Sequence, residues 1–191
     1  ALSGLLLWLF THTAITAASG SFVGNTNLVT KVYFPRLIMP VAATLACVVD
    51  LLIGLGILAG LMIWFQAAPT VQVLLAPLFV ILALILAAAA GTLFSALNVR
   101  FRDVQFALPF LLQVWMLASP VFYPTTILSE KWRTVFAVNP LTGILEGFRS
   151  AVFGTPFDWR TIGISCVSVA VIALVSLLVF DRMEDDFADM I

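Results

Sequence analysis

The sequence predicts an all-α membrane protein, a polytopic helix bundle, and three observations carry that prediction. Hydrophobic side chains make up 62% of the 191 residues and charged ones 10%, against about 45–50% and 25% in soluble domains. The apolar residues gather into nearly uncharged runs of roughly 18–26 residues, enough for a helix to cross hydrocarbon. Mean hydropathy is +1.14, more apolar surface than an interior of this size hides. Strands left single in lipid would carry unpaired backbone groups, so the runs read as helices.

Taken in order, the first run covers 1–18. It opens at Ala1 with no initiator Met and no basic leader, so residue 1 reads as a cut with at least one earlier element missing. The second extends from Pro40 to Phe65 and is interrupted only by Asp50. The third, 72–97, holds no charge. The fourth, 104–121, is the shortest full run, and the fifth, 161–180, stops at Asp181. The whole chain, 1–191, reads as one transmembrane domain.

The connections differ in kind. Residues 19–39 contain Ser19, Gly20, Asn25, Asn27, Lys31 and Arg36, too polar to cross and long enough for a surface helix. Residues 66–71 and 98–103 are brief links. Residues 122–160 are neither plainly polar nor apolar, and 181–191 form an acidic tail. In the long 122–160 segment, Ser129, Trp132 and Phe136 suggest a short helix stopped at Asn139-Pro140. Leu141, Leu145 and Phe148 suggest a second, with Glu146 and Arg149 close enough to interact. The pair would dip into the outer leaflet or pack on the bundle; a loop lying on the membrane surface is the alternative.

Alternation places 19–39, 98–103 and the tail on one side. The short link around 98–103 carries Arg100 and Arg102 while 66–71 carries no cation, which puts the former on the cytoplasmic side.

Among single residues, Asp50 is the acid in the middle of a span. It should face a cavity, a polar partner such as Thr44, or the bundle interior; a packing role outweighs a proton relay, because no second intramembrane charge completes one. Gly56 and Gly60 form a small-residue face that permits close helix approach. His12 reads as a satisfied core residue rather than a base. Arg100, Arg102 and Asp103 hold a tight turn or dock a soluble partner. The segment around Lys31, Tyr33, Phe34 and Arg36 either anchors at the interface or carries force into the following span.

Other function classes are disfavoured. Nine Lys plus Arg against ten Asp plus Glu leave a net charge of −1, with no basic stripe for nucleic acid. One His and two Cys make a metal cluster or disulfide framework unexpected. No phosphate loop, dinucleotide turn or carboxylate pair for glycosyl chemistry is found. A chain of this kind that drives transport would borrow its energy.

Three runs carry a family resemblance: Gly20 to Ala42 (GSFVGNTNLVTKVYFPRLIMPVA), Ala96 to Pro124 (ALNVRFRDVQFALPFLLQVWMLASPVFYP) and Asn139 to Arg149 (NPLTGILEGFR). The closing Phe187 to Ile191 is also alike. In this order they resemble ABC-2 type permeases that export bacterial polysaccharides and teichoic acids. The resemblance implies a six-span subunit of the bacterial inner membrane with both ends cytoplasmic, about five spans of it present here. Its coupling segment at 19–39 would meet the ATPase through Asn25, Lys31, Tyr33, Phe34 and Arg36, with Arg100, Arg102 and Asp103 beside it.

Short re-entrant helices would fall in 122–160. Trp115, Phe122, Tyr123, Glu146 and Arg149 are the channel or exit candidates, since aromatic faces stack on sugar rings. The implied partners are a second permease copy, two nucleotide-binding subunits that hold ATP-Mg, and a glycan or polyol-phosphate polymer on undecaprenyl diphosphate. This chain itself would hold no cofactor and no metal. An ABC-2 exporter of a small molecule is the alternative, ahead of a membrane enzyme or a purely structural subunit. The acidic run Asp181, Glu184, Asp185 and Asp186 departs from the basic residues usual in that family.

Overall fold

The computed structural model describes residues 2–25, 35–66, 70–123 and 135–184. Its helices are α1 (Leu2–Ser19), α2 (Ile38–Ala46), α3 (Val48–Trp64), α4 (Ala76–Arg100), α5 (Val104–Leu117), α6 (Pro140–Phe153) and α7 (Trp159–Glu184). Short 3-10 turns occupy Val23–Asn25 and Val71–Leu75.

Four stretches among the described residues are long and apolar enough to cross a membrane: Leu2–Ser19, Ile38–Trp64, Val71–Arg100 and Trp159–Glu184. The chain is thus an all-α polytopic membrane bundle. Helices α2 and α3 make one crossing, interrupted at Cys47, which keeps helical dihedrals. There the Thr44 hydroxyl donates to the Pro40 carbonyl at 2.9 Å and the Cys47 thiol to that of Ala43 at 3.5 Å. Side chains that bond back one turn compete with the backbone ladder and bend helices.

The predicted run 104–121 differs from the other four. Helix α5 has 14 residues, about 21 Å at the α-helical rise, short of the roughly 30 Å of bilayer hydrocarbon. Pro120 accounts for the early stop, since proline drives the residue before it out of the helical region. The Ser119 hydroxyl then donates to the Trp115 carbonyl at 2.7 Å.

Helix α4 is the hub of the core. A Cβ on its Gly91 would lie 2.5 Å from that of Ala18, so α1 and α4 approach more closely than an alanine there would allow. The α4–α7 seam is joined by the Ser176 hydroxyl, which donates to the Ala89 carbonyl at 2.6 Å. Helix α6 is wrapped on nearly all sides: only Glu146, Arg149 and Phe153 of its residues escape full burial. Its Gly143 N–H donates to Ser165 Oγ of α7 at 2.9 Å, and a Cβ on Gly147 would fall 2.0 Å from the Phe79 ring. The second predicted short helix therefore packs on the bundle. The first falls largely on residues outside those described.

The helices meet at two ends. At one, Phe22 stacks on Phe180 with centroids 6.1 Å apart. Ala96 and Val99 complete that cluster, and Leu37, Met39 and Met183 pack around it. The described ends of 19–39, the end of α4 and the end of α7 therefore share one face of the bundle, here the near end. At the far end gather the start of α1, the Val71–Leu75 turn, residues 121–123 and α6.

Candidate functional site

The far end is organised by Asn139, which the sequence reading used only as a helix stop. It is the N-cap of α6, with Pro140 in the first turn behind it, a pairing that fixes a helix start. Its Oδ1 accepts from the Leu141 N–H at 3.1 Å and from the Trp115 indole at 3.0 Å. Its Nδ2 donates to Ser119 Oγ at 2.8 Å and to the Ala118 carbonyl at 3.1 Å. One amide thus joins the end of α5 to the start of α6. The Asn-Pro pair ahead of an amphipathic run was the available signal.

Arg149 makes the second tie. Its guanidinium donates to the carbonyls of Val121 and of Tyr123, the latter at 2.9 Å, where Pro120 has broken the helical ladder. Gly4 of α1 leaves room for it: a Cβ there would lie 2.4 Å from Arg149 Nη2. Burial pulls the guanidinium below its usual pKa, and the carboxylate of Glu146 works against that shift. Of the exit candidates, Trp115, Tyr123 and Arg149 meet in this node, with Glu146 half-buried beside it. Phe122 is exposed.

Trp115 also packs edge-on against Trp8, centroids 6.1 Å apart, so its ring turns into the bundle. Beside it, Phe136, Val138, Asn139, Pro140 and Ile172 line an apolar groove of about 530 Å³. The uncovered face of α5 lies elsewhere, on Phe106, Phe110, Gln113 and Leu117. In α5 only Leu108 and Leu112 are buried, and period counting without a partner could not orient so short an apolar helix.

At the near end Arg36 donates to the carbonyl of Glu184, tying the approach to α2 onto the last turn of α7. Arg100 sits over the Phe101 ring at 5.7 Å, while Arg102 and Asp103 are exposed in the turn before α5. Asn25 closes the Val23–Asn25 turn. Lys31, Tyr33 and Phe34 lie outside the described residues, as does the tail beyond Glu184. A residue missed from the sequence, Asn98, is buried and donates to the Ser19 carbonyl at 3.1 Å.

Asp50 is exposed instead of facing the bundle interior. The buried side of the α2–α3 crossing runs through Thr44, Cys47, Leu51 and Leu58, and successive helical positions turn by about 100°, which leaves Asp50 on the flank. The Thr44 hydroxyl is committed to Pro40, so it does not serve the carboxylate. His12, too, is only half-buried and bonds to no described residue through its ring nitrogens; it leans on Trp8 at 6.1 Å.

A polar tie at each end and several helices long and apolar enough to cross a membrane describe a scaffold, with no catalytic constellation among the described residues. A family model for the ABC-2 type transporter matches residues 1–153. The chain belongs to the ABC-2 type transporter family. It is 28% identical to the O-antigen export system permease protein RfbA of Myxococcus xanthus, across 98% of this chain and 74% of that protein. Two proteins of the same description from Klebsiella pneumoniae are 21% and 22% identical across all of this chain and 74% of theirs. As an ABC-2 permease related to polysaccharide export systems, the chain is a transport subunit and not an enzyme.

Proposed function

We propose that this ABC-2 permease moves a lipid-linked polysaccharide, of the O-antigen, capsule or teichoic-acid type, across the bacterial inner membrane. The observation that carries the reading is the end-to-end similarity to permeases described as O-antigen exporters. Two copies of the chain and two nucleotide-binding subunits form the exporter. ATP is hydrolysed in the partners, and residues 19–39 take up their motion. The near end is cytoplasmic, as is the tail at 181–191; the far end, with 122–160 and its short re-entrant helices, faces outward. The full subunit crosses six times, α5 among the crossings.

The Arg36–Glu184 bond and the Phe22–Phe180 stack support the coupling role: a push on the approach to α2 is felt at once by α7. The polymer hangs from undecaprenyl diphosphate and passes between the two copies. The test is depletion of the subunit in its host, followed by analysis of carrier-linked material. Accumulation of a lipid-linked polymer inside the cell supports polysaccharide export. Normal surface polymer with raised sensitivity to an exported small molecule refutes it in favour of a drug-exporting permease.

A further inference from the structure

The near end holds a joint whose bonding is only half complete. Helix α1 ends at Ser19, where the 19–39 segment begins, and the last carbonyls of a helix need partners beyond it. The Gly20 and Ser21 N–H groups donate to the carbonyls of Thr16 and Ala18 at 3.2 and 3.1 Å. The Ser19 carbonyl is taken by Asn98 Nδ2, from the last turn of α4, at 3.1 Å.

Two side-chain oxygens of the same pair are left over. Asn98 is 1% exposed and Ser19 2%, and neither Asn98 Oδ1 nor Ser19 Oγ has a hydrogen-bond partner among the described residues. One is an acceptor and the other carries a donor, and they belong to residues already joined by one bond. Buried polar groups left unpaired are costly, so a shift that brings these two together is favoured locally.

The surroundings permit such a shift. One residue before Ser19, a Cβ on Gly91 would lie 2.5 Å from that of Ala18, and Ala14, Ala87 and Ala90 are buried in the same core. None of these has a rotamer to repack when one helix slides on the other. Within α1 the Thr11 and Thr16 hydroxyls bond back to the Leu7 and His12 carbonyls, each at 2.8 Å, which competes with the backbone ladder and favours bending.

Resting on the coupling role proposed above, we propose that Asn98 is the positioning residue through which movement of residues 19–39 enters the bundle. In the present arrangement it holds Ser19 by one bond, amide to carbonyl. When the coupling segment is pushed, the end of α1 shifts on α4 and the Ser19 hydroxyl turns to donate to Asn98 Oδ1. The second arrangement pairs both leftover groups, so the push is met by a bond gained. The Phe22–Phe180 stack and the Arg36–Glu184 bond tie the same segment to α7, so α4 and α7 receive the motion together.

The test uses the full-length permease reconstituted with its nucleotide-binding subunits in proteoliposomes. The cargoes are an uncharged oligosaccharide and poly(glycerol phosphate), each on a polyprenyl diphosphate. Export per ATP hydrolysed and melting temperature are read for Ser19→Ala, Asn98→Ala and the double variant. Ser19→Ala removes a hydroxyl that is unbonded in this arrangement, so it should melt no lower than wild type yet export at least threefold less per ATP. Asn98→Ala should also melt lower, having lost the bond to the Ser19 carbonyl. The double variant should export as much per ATP as Asn98→Ala, because the bond gained is removed only once.

A wild-type export ratio in Ser19→Ala overturns the assignment. A lower melting temperature or failure to fold in that variant overturns it too, since the hydroxyl would then be bonded already. Multiplied losses in the double variant would show two independent effects and overturn the joint. If the wild-type complex moves neither cargo, the export reading fails and this one with it. If wild type and Ser19→Ala export equally per ATP, the role of Asn98 fails alone.

Discussion

The indole of Trp115 donates to the side-chain oxygen of Asn139 at 3.0 Å, and the same oxygen caps α6 through the Leu141 N–H. The two helices therefore share one acceptor, and loosening either end disturbs the other. Asn139→Ala removes a cap worth about 1 kcal/mol and leaves the half-buried Trp115 indole without its acceptor, about 1–3 kcal/mol more. Trp115→Phe forfeits one hydrogen bond, about 1 kcal/mol. Thermal unfolding in detergent should rank Asn139→Ala well below Trp115→Phe. The double variant should lose less than the sum of the two, because the bond they share is removed only once.

Arg149 holds two carbonyls, of Val121 and Tyr123, that lie past Pro120 outside any helical ladder. Lysine offers a point charge where the guanidinium offers a planar fork, so Arg149→Lys should recover only part of the wild-type stability. Arg149→Met keeps much of the bulk but strands the Val121 and Tyr123 carbonyls, and a drop of about 2–4 kcal/mol is expected from two unpaired groups. Equal stability of Arg149→Met and wild type would show the tie to be incidental. Export assays on the lysine variant then report whether the geometry of the tie matters beyond its charge.

The glycines of this chain divide into two mechanical classes. Gly147→Ala would drive a methyl into the Phe79 ring, an overpacking cost of about 1–3 kcal/mol. Around Gly56 and Gly60 a Cβ would meet nothing within 4 Å. Alanine there should stabilise α3 by up to about 1 kcal/mol through helix propensity alone. Unfolding curves for the isolated permease should therefore move in opposite directions for the two classes. Loss of dimer with Gly60→Ala, despite a stabilised subunit, would mark that face as a seam between copies.

Much of this bundle is written in composition and run length, and the places where it is not have physical causes. Four of the five apolar runs are helices long and apolar enough to cross a membrane, where a helix satisfies its own backbone in lipid. Run length overestimated the helix at 104–121, since Pro120 follows a helix that stops at Leu117. The resemblance offers Trp115 as a channel candidate, but which side of an almost uniformly apolar helix is covered depends on its neighbours. Trp115 turned to Trp8 and Asn139, leaving Phe106 and Phe110 outside. Asp50 is expected to face a cavity, a polar partner or the interior; the Thr44–Cys47–Leu51–Leu58 face holds the interior, and Asp50 is exposed. Asn139, Ser165 and Asn98 work through bonds across more than twenty residues, which local spacing does not encode.

The near-end cations Arg36, Arg100 and Arg102 separate coupling from architecture. Arg36 is bonded to the Glu184 carbonyl, whereas Arg100 and Arg102 are exposed and bond to no described acid. Reversing an exposed surface charge changes stability by no more than about 0.5 kcal/mol. The double variant Arg100→Glu/Arg102→Glu should therefore melt with wild type. If those side chains meet the ATPase, it should also co-purify at least tenfold less nucleotide-binding subunit, with the deficit shrinking at high salt where exposed charges are screened. Arg36→Ala should show the converse: a lower melting temperature from the lost tie between α2 and α7, and ATPase binding reduced only as far as folding is. Export without loss of ATPase binding in the double variant would remove Arg100 and Arg102 from the coupling surface and leave Lys31 to Arg36 as its remaining basic part.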